Sequence, residues 1–379
     1  MRDVVIIEAV RSPIGKRDGK LCNVLPVHLA ARVIKELVSR AHVEPSLVQD
    51  VVMGCVTPVG DQGANIARLA VLQAGFPVEV PAVSLNRMCG SGQQAVHFAA
   101  QEILSGDMDV AIGGGIEVMS RAPIGSDWPR QWPADFPYPL VHQGISAEMM
   151  ADQWGLTREE LDRFSFESHV KAAAATRRGD FDREIVPIEV TLPDGRTEAM
   201  AIDEGIRFEP NLEKMSKLQP AFKADGVITA ANSSQISDGA AALLLTSADK
   251  ARELGLRPRA RIVARAVVGS DPVLMLSGPI PATRRVLSRA GLKLDDIAAI
   301  EINEAFASVV LAWQKQVQPD PARVNPNGGA IALGHPLGAT GAVLMTKLLH
   351  HLECTGGRYG LQTMCIGHGM ATATIIERL

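Results

Sequence analysis

Cys89 lies in Asn86-Arg-Met-Cys-Gly-Ser-Gly92, just ahead of small and apolar residues from Ala95 to Leu104 that read as a buried helix. Gly90 and Gly92 permit a sharp turn out of the apolar run Val80 to Leu85. The thiol is thereby placed at a helix N-terminus. Unpaired N–H groups and the macrodipole there favour thiolate and can hold an oxygen as it becomes negative, which is what a nucleophile in acyl transfer needs. Free cysteines are also common fillers of cores, so Cys89 needs a partner before it signifies chemistry.

His335 is that partner. It lies in Asn327-Gly-Gly-Ala-Ile-Ala-Leu-Gly-His-Pro-Leu-Gly-Ala-Thr-Gly341, whose five glycines let backbone approach a ligand closely. Cys-Gly-Ser-Gly-Gln-Gln-Ala-Val at 89–96 parallels His-Pro-Leu-Gly-Ala-Thr-Gly-Ala-Val at 335–343, so thiol and imidazole occupy matching positions ahead of two related helices. If the halves pack about a pseudo-twofold axis, the two helix ends meet. The imidazole can then take the thiol proton and help hold an oxyanion. Cys365, at a strand end before Gly367, is a second thiol at a flexible turn. Starting from an ordinary pKa of about 8.5, it could exchange protons near neutrality with modest tuning. Asn303 and Glu304 follow the strand-like run Ala299 to Ile302, at the strand end where α/β sites collect; a helix cap is the competing role for Asn303.

Short apolar strands alternate with helices, which argues for a layered α/β fold. Strands are expected at Val4 to Val10 and Val51 to Val56, and helices at Leu25 to Arg40 and Ile66 to Ala74. Asp109 to Ile112, Gly113-Gly-Gly115 and Ile116 to Met119 read as strand, tight turn, strand. From Arg121 to Leu140 five prolines and several aromatics make regular structure improbable on composition. Thr157 and Glu160 form a capping box for a helix that Gly179 can close, and Ile185 to Val190 with Pro193-Asp-Gly195 suggests a hairpin. The second half repeats the first: strand Arg261 to Val268, helix Ala282 to Ala290, strand Ile297 to Ile302, helix Gly338 to Leu352, then strand, turn and strand from Leu361 to Ile376.

The totals fit this organisation. The 379 residues exceed what one core usually holds, and the composition, 46% hydrophobic with 21% charged, is that of a soluble protein with a large interior. A net charge of −4 without a basic arm argues against nucleic acid as a partner, and no apolar run approaches a membrane span. Five dispersed cysteines without a Cys-x-x-Cys pair suggest a reducing compartment and no structural zinc. With no leader-like N-terminus, the cytoplasm is the expected location.

Four segments carry a resemblance. Asn-Arg-Met-Cys-Gly-Ser-Gly around Cys89, Asn-Glu-Ala-Phe-Ala at 303–307, Asn-Gly-Gly-Ala-Ile-Ala-Leu-Gly-His-Pro at 327–336 and Cys-Ile-Gly at 365–367 resemble, in order, the motifs of the thiolase family. The resemblance implies a five-layer α/β/α/β/α sandwich of two similar halves. Residues 1–119 with 246–259 would form one half, 260–379 the other, and 120–245 an inserted loop domain. It implies that Cys89 is acylated, that His335 activates it, and that Cys365 moves the proton α to the thioester. One oxyanion site would comprise His335 and a water held by Asn303, the other the N–H groups of Cys89 and Gly367. Coenzyme A and acyl-CoA would enter as substrates, with no permanently bound cofactor and no metal. Ser234 and His142 resemble residues beside the pantetheine arm, Arg207 the arginine beside the adenosine, and Phe306 and Met275 residues of the acyl pocket. Arg207, Lys214, Lys217 and Lys223 also form a locally basic stretch suited to phosphates. A homodimer or homotetramer is expected.

Two residues depart from the family pattern. His368 stands where many relatives have glycine, and Gln143 where short-chain biosynthetic relatives usually carry methionine; both bear on acyl specificity. The run 144–151 is more similar to degradative members, which favours thiolysis of ketoacyl-CoA beyond acetoacetyl-CoA. Two rivals are a decarboxylating ketoacyl synthase, whose Cys-His-His site Cys365 and Asn303 do not match, and a non-catalytic lipid carrier or scaffold, which has no use for Cys89, His335 and Cys365 together.

Overall fold

A computed structural model describes residues 2–192 and 194–379. Besides the two-residue strand Gly15–Lys16, which pairs with Asp238 and Ser237, nine strands among the described residues form its main sheet: β1 (Val4–Arg11), β2 (Asp50–Gly54), β3 (Ala82–Leu85), β4 (Val110–Val118), β5 (Ser237–Ser247), β6 (Ala260–Gly269), β7 (Ile297–Ile302), β8 (Tyr359–Ile366) and β9 (Met370–Arg378). Their order is β7-β8-β9-β6-β1-β5-β4-β2-β3. The β1–β6 seam is narrow, pairing Val5 with Arg261 and Ile6 with Ala260. Outward from it each half repeats one sequence of strands, and a bridge from Ile300 to Val324 stands in the second half where β3 stands in the first. The repeat expected from the sequence is therefore present as a pseudo-twofold arrangement.

Alternation along the strands builds the layers. Val5 and Ile7 of β1 face an outer core with helices α1 (Pro26–Ala41) and α2 (Ile66–Gln73), whereas Val4 and Ile6 face inward. The central layer is a helix pair, α3 (Ser91–Ser105) and α8 (Leu337–Thr355), where Val96, Ala99 and Ile103 meet Val343, Leu348 and Leu349. Beyond the second half, α6 (Pro279–Ala290) and α7 (Ala307–Val317) pack Ile280, Val286 and Trp313 against Ile300 and Ile375. These are the five layers expected.

Two boundaries differ from expectation. Gly113 to Gly115 form no turn and lie inside the continuous strand β4. The glycines are needed for close packing: a Cβ on Gly113 would lie 2.6 Å from Val96 Cα, and one on Gly115 2.0 Å from the Gly338 carbonyl. The inserted segment also ends earlier than 245, because β5 begins at Ser237 and pairs with both β4 and β1. Its own elements include α4 (Gln143–Gln153) and α5 (Arg158–Arg178), the latter opened by the Thr157–Glu160 capping box and closed by Gly179 at φ 75°. Ile188–Thr191 and Thr197–Met200 form the expected hairpin, with Pro193 of its turn outside the described residues. Buried Arg11 ties the insertion to β1, donating to Glu184 at 2.7 Å and to Asp203 at 2.7 and 2.9 Å. Residues 121–140 contain neither helix nor strand.

Candidate active site

Glycines bring the two central helix ends together. A Cβ on Gly92 would lie 2.8 Å from the Gly338 carbonyl and 3.0 Å from the Ala342 nitrogen, and one on Gly341 2.1 Å from the Gln93 nitrogen. Only bare backbone fits there, so the first turns of α3 and α8 touch as the sequence parallel required. Glu117 of β4 braces this contact. Its carboxylate accepts from the Val56 and Thr57 N–H groups at 2.8 and 3.1 Å, from the Gln62 amide at 2.8 Å, and from the Gly338 N–H, in the first turn of α8, at 2.9 Å. Burial raises its pKa, and the four hydrogen bonds oppose the rise.

Cys89 is buried just before α3, in an apolar cluster with Val56, Met119, Leu337, Leu344 and Met364. Burial pushes its thiol up to about 11, with the Glu117 charge adding to the effect, while the N–H groups of Gly367 and Cys89 and the Gln143 side chain hold it down. The N–H groups at the helix end act in the expected direction, towards thiolate, but desolvation outweighs them and leaves the thiol raised.

His335 is buried and neutral, its ring held down at about 4 by burial. Its tautomer follows from hydrogen-bond accounting. The Thr340 hydroxyl donates its one hydrogen to the Pro336 carbonyl at 2.8 Å, so its oxygen, 2.6 Å from His335 Nδ1, accepts the Nδ1–H. The Nε2 lone pair is left as the basic site, facing Asn303 Nδ2 at 3.3 Å. The His335 backbone N–H donates to the Gln235 carbonyl and Ser237 Oγ, both at 3.2 Å, which fixes the loop. Asn303 follows β7 and its backbone N–H donates to the Thr363 carbonyl of β8 at 3.1 Å, so it is held by the sheet and caps no helix. Neighbouring Glu304 accepts from Ser168 at 2.7 Å and Asn325 at 2.8 Å and is a brace.

Cys365 is fully buried near the end of β8, with Met275, Phe306 and Ile331 in its core cluster. Burial, then proximity to Cys89, pushes its thiol far above the ordinary range, so the expected modest tuning is corrected to a thiol that holds its proton firmly. Such a group is suited to protonating a strongly basic carbon. Phe306 and Met275 thus belong to the same apolar cluster as the second thiol. Phe306 meets Phe222 edge-on at 6.0 Å, and Phe222 stacks on His142 at 5.1 Å, so an aromatic series leads from this cluster to the start of α4. Ser234 is anchored to the same loop by its N–H, which donates to the Ala305 carbonyl at 2.9 Å. Arg207 is exposed on the insertion, its backbone N–H donating to His169 at 3.2 Å. The basic stretch around it is partly neutralised, since Lys217 pairs with Glu213 at 2.6 Å and Lys223 lies 3.8 Å from both Asp152 and Asp225.

His368 adopts φ 61°, left-handed backbone that a Cβ disfavours, and its ring tilts against Trp132 at 6.1 Å. Gln143 opens α4, with its amide nitrogen 3.1 Å from where a Gly367 Cβ would be. Thr340, Glu117 and Gln62 escaped the sequence reading. A glutamate in mid-strand and a threonine in a helix carry no distinctive pattern, although Glu117 in an otherwise apolar run was a usable signal.

Residues 4–249 match the thiolase N-terminal domain and residues 256–378 the thiolase C-terminal domain. A steroid 3-ketoacyl-CoA thiolase of Mycobacterium tuberculosis is 50% identical, over 100% of this chain and 95% of its own length. An acetyl-CoA acetyltransferase of Chromobacterium violaceum is 44% identical, over 99% of this chain and 100% of its own. The crystal structure of the Bacillus anthracis acetyl-CoA acetyltransferase superposes with a TM-score of 0.94 at 40% identity, covering 100% of this chain and 99% of that one. With both family models matched across almost the whole chain and full-length relatives at 44–50% identity, the chain is an acyltransferase and belongs to the thiolase family.

Proposed function

We propose that this thiolase cleaves bulky, ring-bearing 3-ketoacyl-CoA, with Cys89 as nucleophile, His335 as its base and Cys365 as the acid and base at the α-carbon. Cys89 Sγ attacks the C3 carbonyl as its proton passes to His335 Nε2. The C2–C3 bond then breaks, its electron pair leaves as the enolate of acetyl-CoA, and Cys365 protonates C2. In the second half-reaction the coenzyme A thiol loses its proton to Cys365 and takes the acyl group, while His335 returns a proton to Cys89. Condensation is the reverse. Once His335 Nε2 carries the proton, it and a water held by Asn303 polarise one carbonyl oxygen, and the N–H groups of Cys89 and Gly367 the other. Ser234 and His142 flank the pantetheine arm and Arg207 the nucleotide.

The observation that carries this reading is the pairing of two neutral groups at touching helix ends, a thiol pushed up to about 11 and an imidazole held at about 4 with Nε2 unprotonated. Charge appears only when substrate supplies an electrophile. The ring-bearing preference is supported by His368 and Trp132 beside the Gly367 turn, and by the relative named for steroid substrates. Five free cysteines suit a reducing cytoplasm. A homodimer is favoured by β3, a sheet-edge strand bonded on one side only and exposing Val83. Thiolysis rates over 3-ketoacyl-CoA substrates of increasing length, with one ring-bearing member, test the assignment. The ring-bearing substrate should give the highest kcat/KM; a maximum at acetoacetyl-CoA would overturn the preference.

A further inference from the structure

The family reading leaves Gln143 as a residue of the acyl pocket, but its position is closer to the chemistry than that. It is the first residue of α4, and three features fix the backbone there. The side chain of the preceding His142 accepts the Gly144 N–H at 3.0 Å, Ser146 Oγ donates to the Val273 carbonyl at 2.7 Å, and Gly144 is packed so closely on Phe222 that a Cβ would lie 2.2 Å from the ring. From this anchored start the half-buried Gln143 side chain reaches the oxyanion turn. Its Nε2 lies 3.1 Å, and Met88 Cγ 3.6 Å, from the point where Gly367 would carry a Cβ. The same side chain bears on the neighbouring thiol: with the N–H groups of Gly367 and Cys89 it holds Cys89 down against the effect of burial. An amide nitrogen so placed is a donor, since sulfur carrying developing charge can only accept.

We propose that Gln143 is a catalytic residue, a third hydrogen-bond donor to Cys89 Sγ as it ionises and to the oxygen of the thioester formed on it. This rests on Cys89 being the acylated group and adds a side chain to a site otherwise built from two backbone N–H groups. A methionine at this position has the length of glutamine but offers no donor, so Gln143 converts an apolar contact into an electrostatic one. The bonds made and broken are unchanged: the proton of Cys89 still goes to His335, and Gln143 supplies only a dipole aimed at sulfur and oxygen. The charged group acting on the Cys89 sulfur is Glu117 and the titratable neighbour is the Cys365 thiol, and neither is altered by changing Gln143.

The test uses Gln143→Met and Gln143→Glu, with acetyl-CoA as acyl donor and iodoacetamide as thiol probe. Removing one oxyanion-hole donor costs up to roughly 10²–10³ in kcat, so losing Gln143, with two backbone donors still in place, should slow acetylation of Cys89 by about tenfold or more, with KM for acetyl-CoA nearly unchanged. The pH midpoint of Cys89 alkylation should rise in the order Gln143, Gln143→Met, Gln143→Glu, because the donor is first removed and then replaced by a negative charge. A pocket-wall residue would move neither the midpoint nor the acetylation rate and would change only the ranking of acyl chains; that result overturns the proposal. If the unmodified enzyme were not acetylated at Cys89 at all, the underlying assignment of the nucleophile would fail instead.

Discussion

The two halves of the molecule use the same connections to opposite ends. Each sends a chain through a glycine-rich turn into a central helix, but one places a thiol ahead of that helix and the other an imidazole. Burial acts on both and moves them apart, lifting Cys89 to about 11 and lowering His335 to about 4. Low dielectric penalises whichever form is charged, so one environment makes a reluctant acid of the thiol and a neutral base of the histidine. The next connection diverges further. Between β4 and β5 the first half opens into the insertion that carries His142, Arg207 and Ser234; between β8 and β9 the second half closes in a tight turn through Gly367, His368 and Gly369. The repeated arrangement supplies the scaffold, and the departures from symmetry supply the chemistry.

The comparison breaks most severely at the thiol. Cys89→Ala should abolish acyl transfer from acetyl-CoA, read by mass spectrometry of the intact chain, while circular dichroism stays unchanged because alanine fits the same apolar cluster. Next comes the separation of the two thiols. Cys365→Ala should leave Cys89 open to acetylation but slow exchange of acetyl-CoA methyl protons with deuterated solvent by about 10²–10⁴-fold, the usual contribution of a positioned acid and base. Unchanged exchange would show that another group moves the α-proton. On the histidine side, Thr340→Val keeps the shape but leaves the buried Nδ1–H without an acceptor, at about 1–3 kcal/mol. Cys89 acetylation should then slow by roughly tenfold or more, with little change in KM. Smaller again is Arg207→Ala, which should raise KM for coenzyme A thioesters several-fold more than it lowers kcat, because a nucleotide contact remote from the sulfur is uniform binding. Pantetheine thioesters should be indifferent to it.

Much of this was legible in the sequence because helix ends and repeats have local signatures. The capping box at Thr157, the αL glycine at 179, and the parallel between residues 89–96 and 335–343 each survive in the structure where they were read. Gly113 to Gly115 misled, because glycine marks both a turn and a place where another backbone comes close, and only tertiary packing distinguishes them. The pull of the helix end towards thiolate is outweighed for a related reason. A helix terminus is visible in sequence, whereas the depth at which it is buried is not, and depth decided the sign. Glu117 acts through hydrogen bonds to backbone atoms of distant segments, which no spacing encodes, whereas Thr340 bonds Pro336 and His335 four and five residues back, a local pattern shared by many helix threonines.

The finest distinction between the halves is the turn that closes the second one, and His368→Gly probes it. A non-glycine residue in left-handed backbone costs roughly 1–2 kcal/mol, so glycine relieves strain there. Against this stand the ring contact with Trp132, about 0.5–1.5 kcal/mol for an aromatic pair, and the extra freedom glycine gives the unfolded chain. These oppose one another and nearly cancel, so the melting temperature should shift little. The specificity should not cancel. Trp132 belongs to residues 121–140, which lack helix and strand, and it continues through Phe136 at 6.1 Å to Tyr138 at 6.4 Å from Phe136. Releasing His368 frees this aromatic series from the turn that holds Gly367. The ratio of kcat/KM for a ring-bearing ketoacyl-CoA to that for acetoacetyl-CoA should therefore fall by severalfold, on the order of 1 kcal/mol of lost aromatic contact. An unchanged ratio would assign His368 to the backbone of the turn alone and leave acyl selection to Phe306 and Met275.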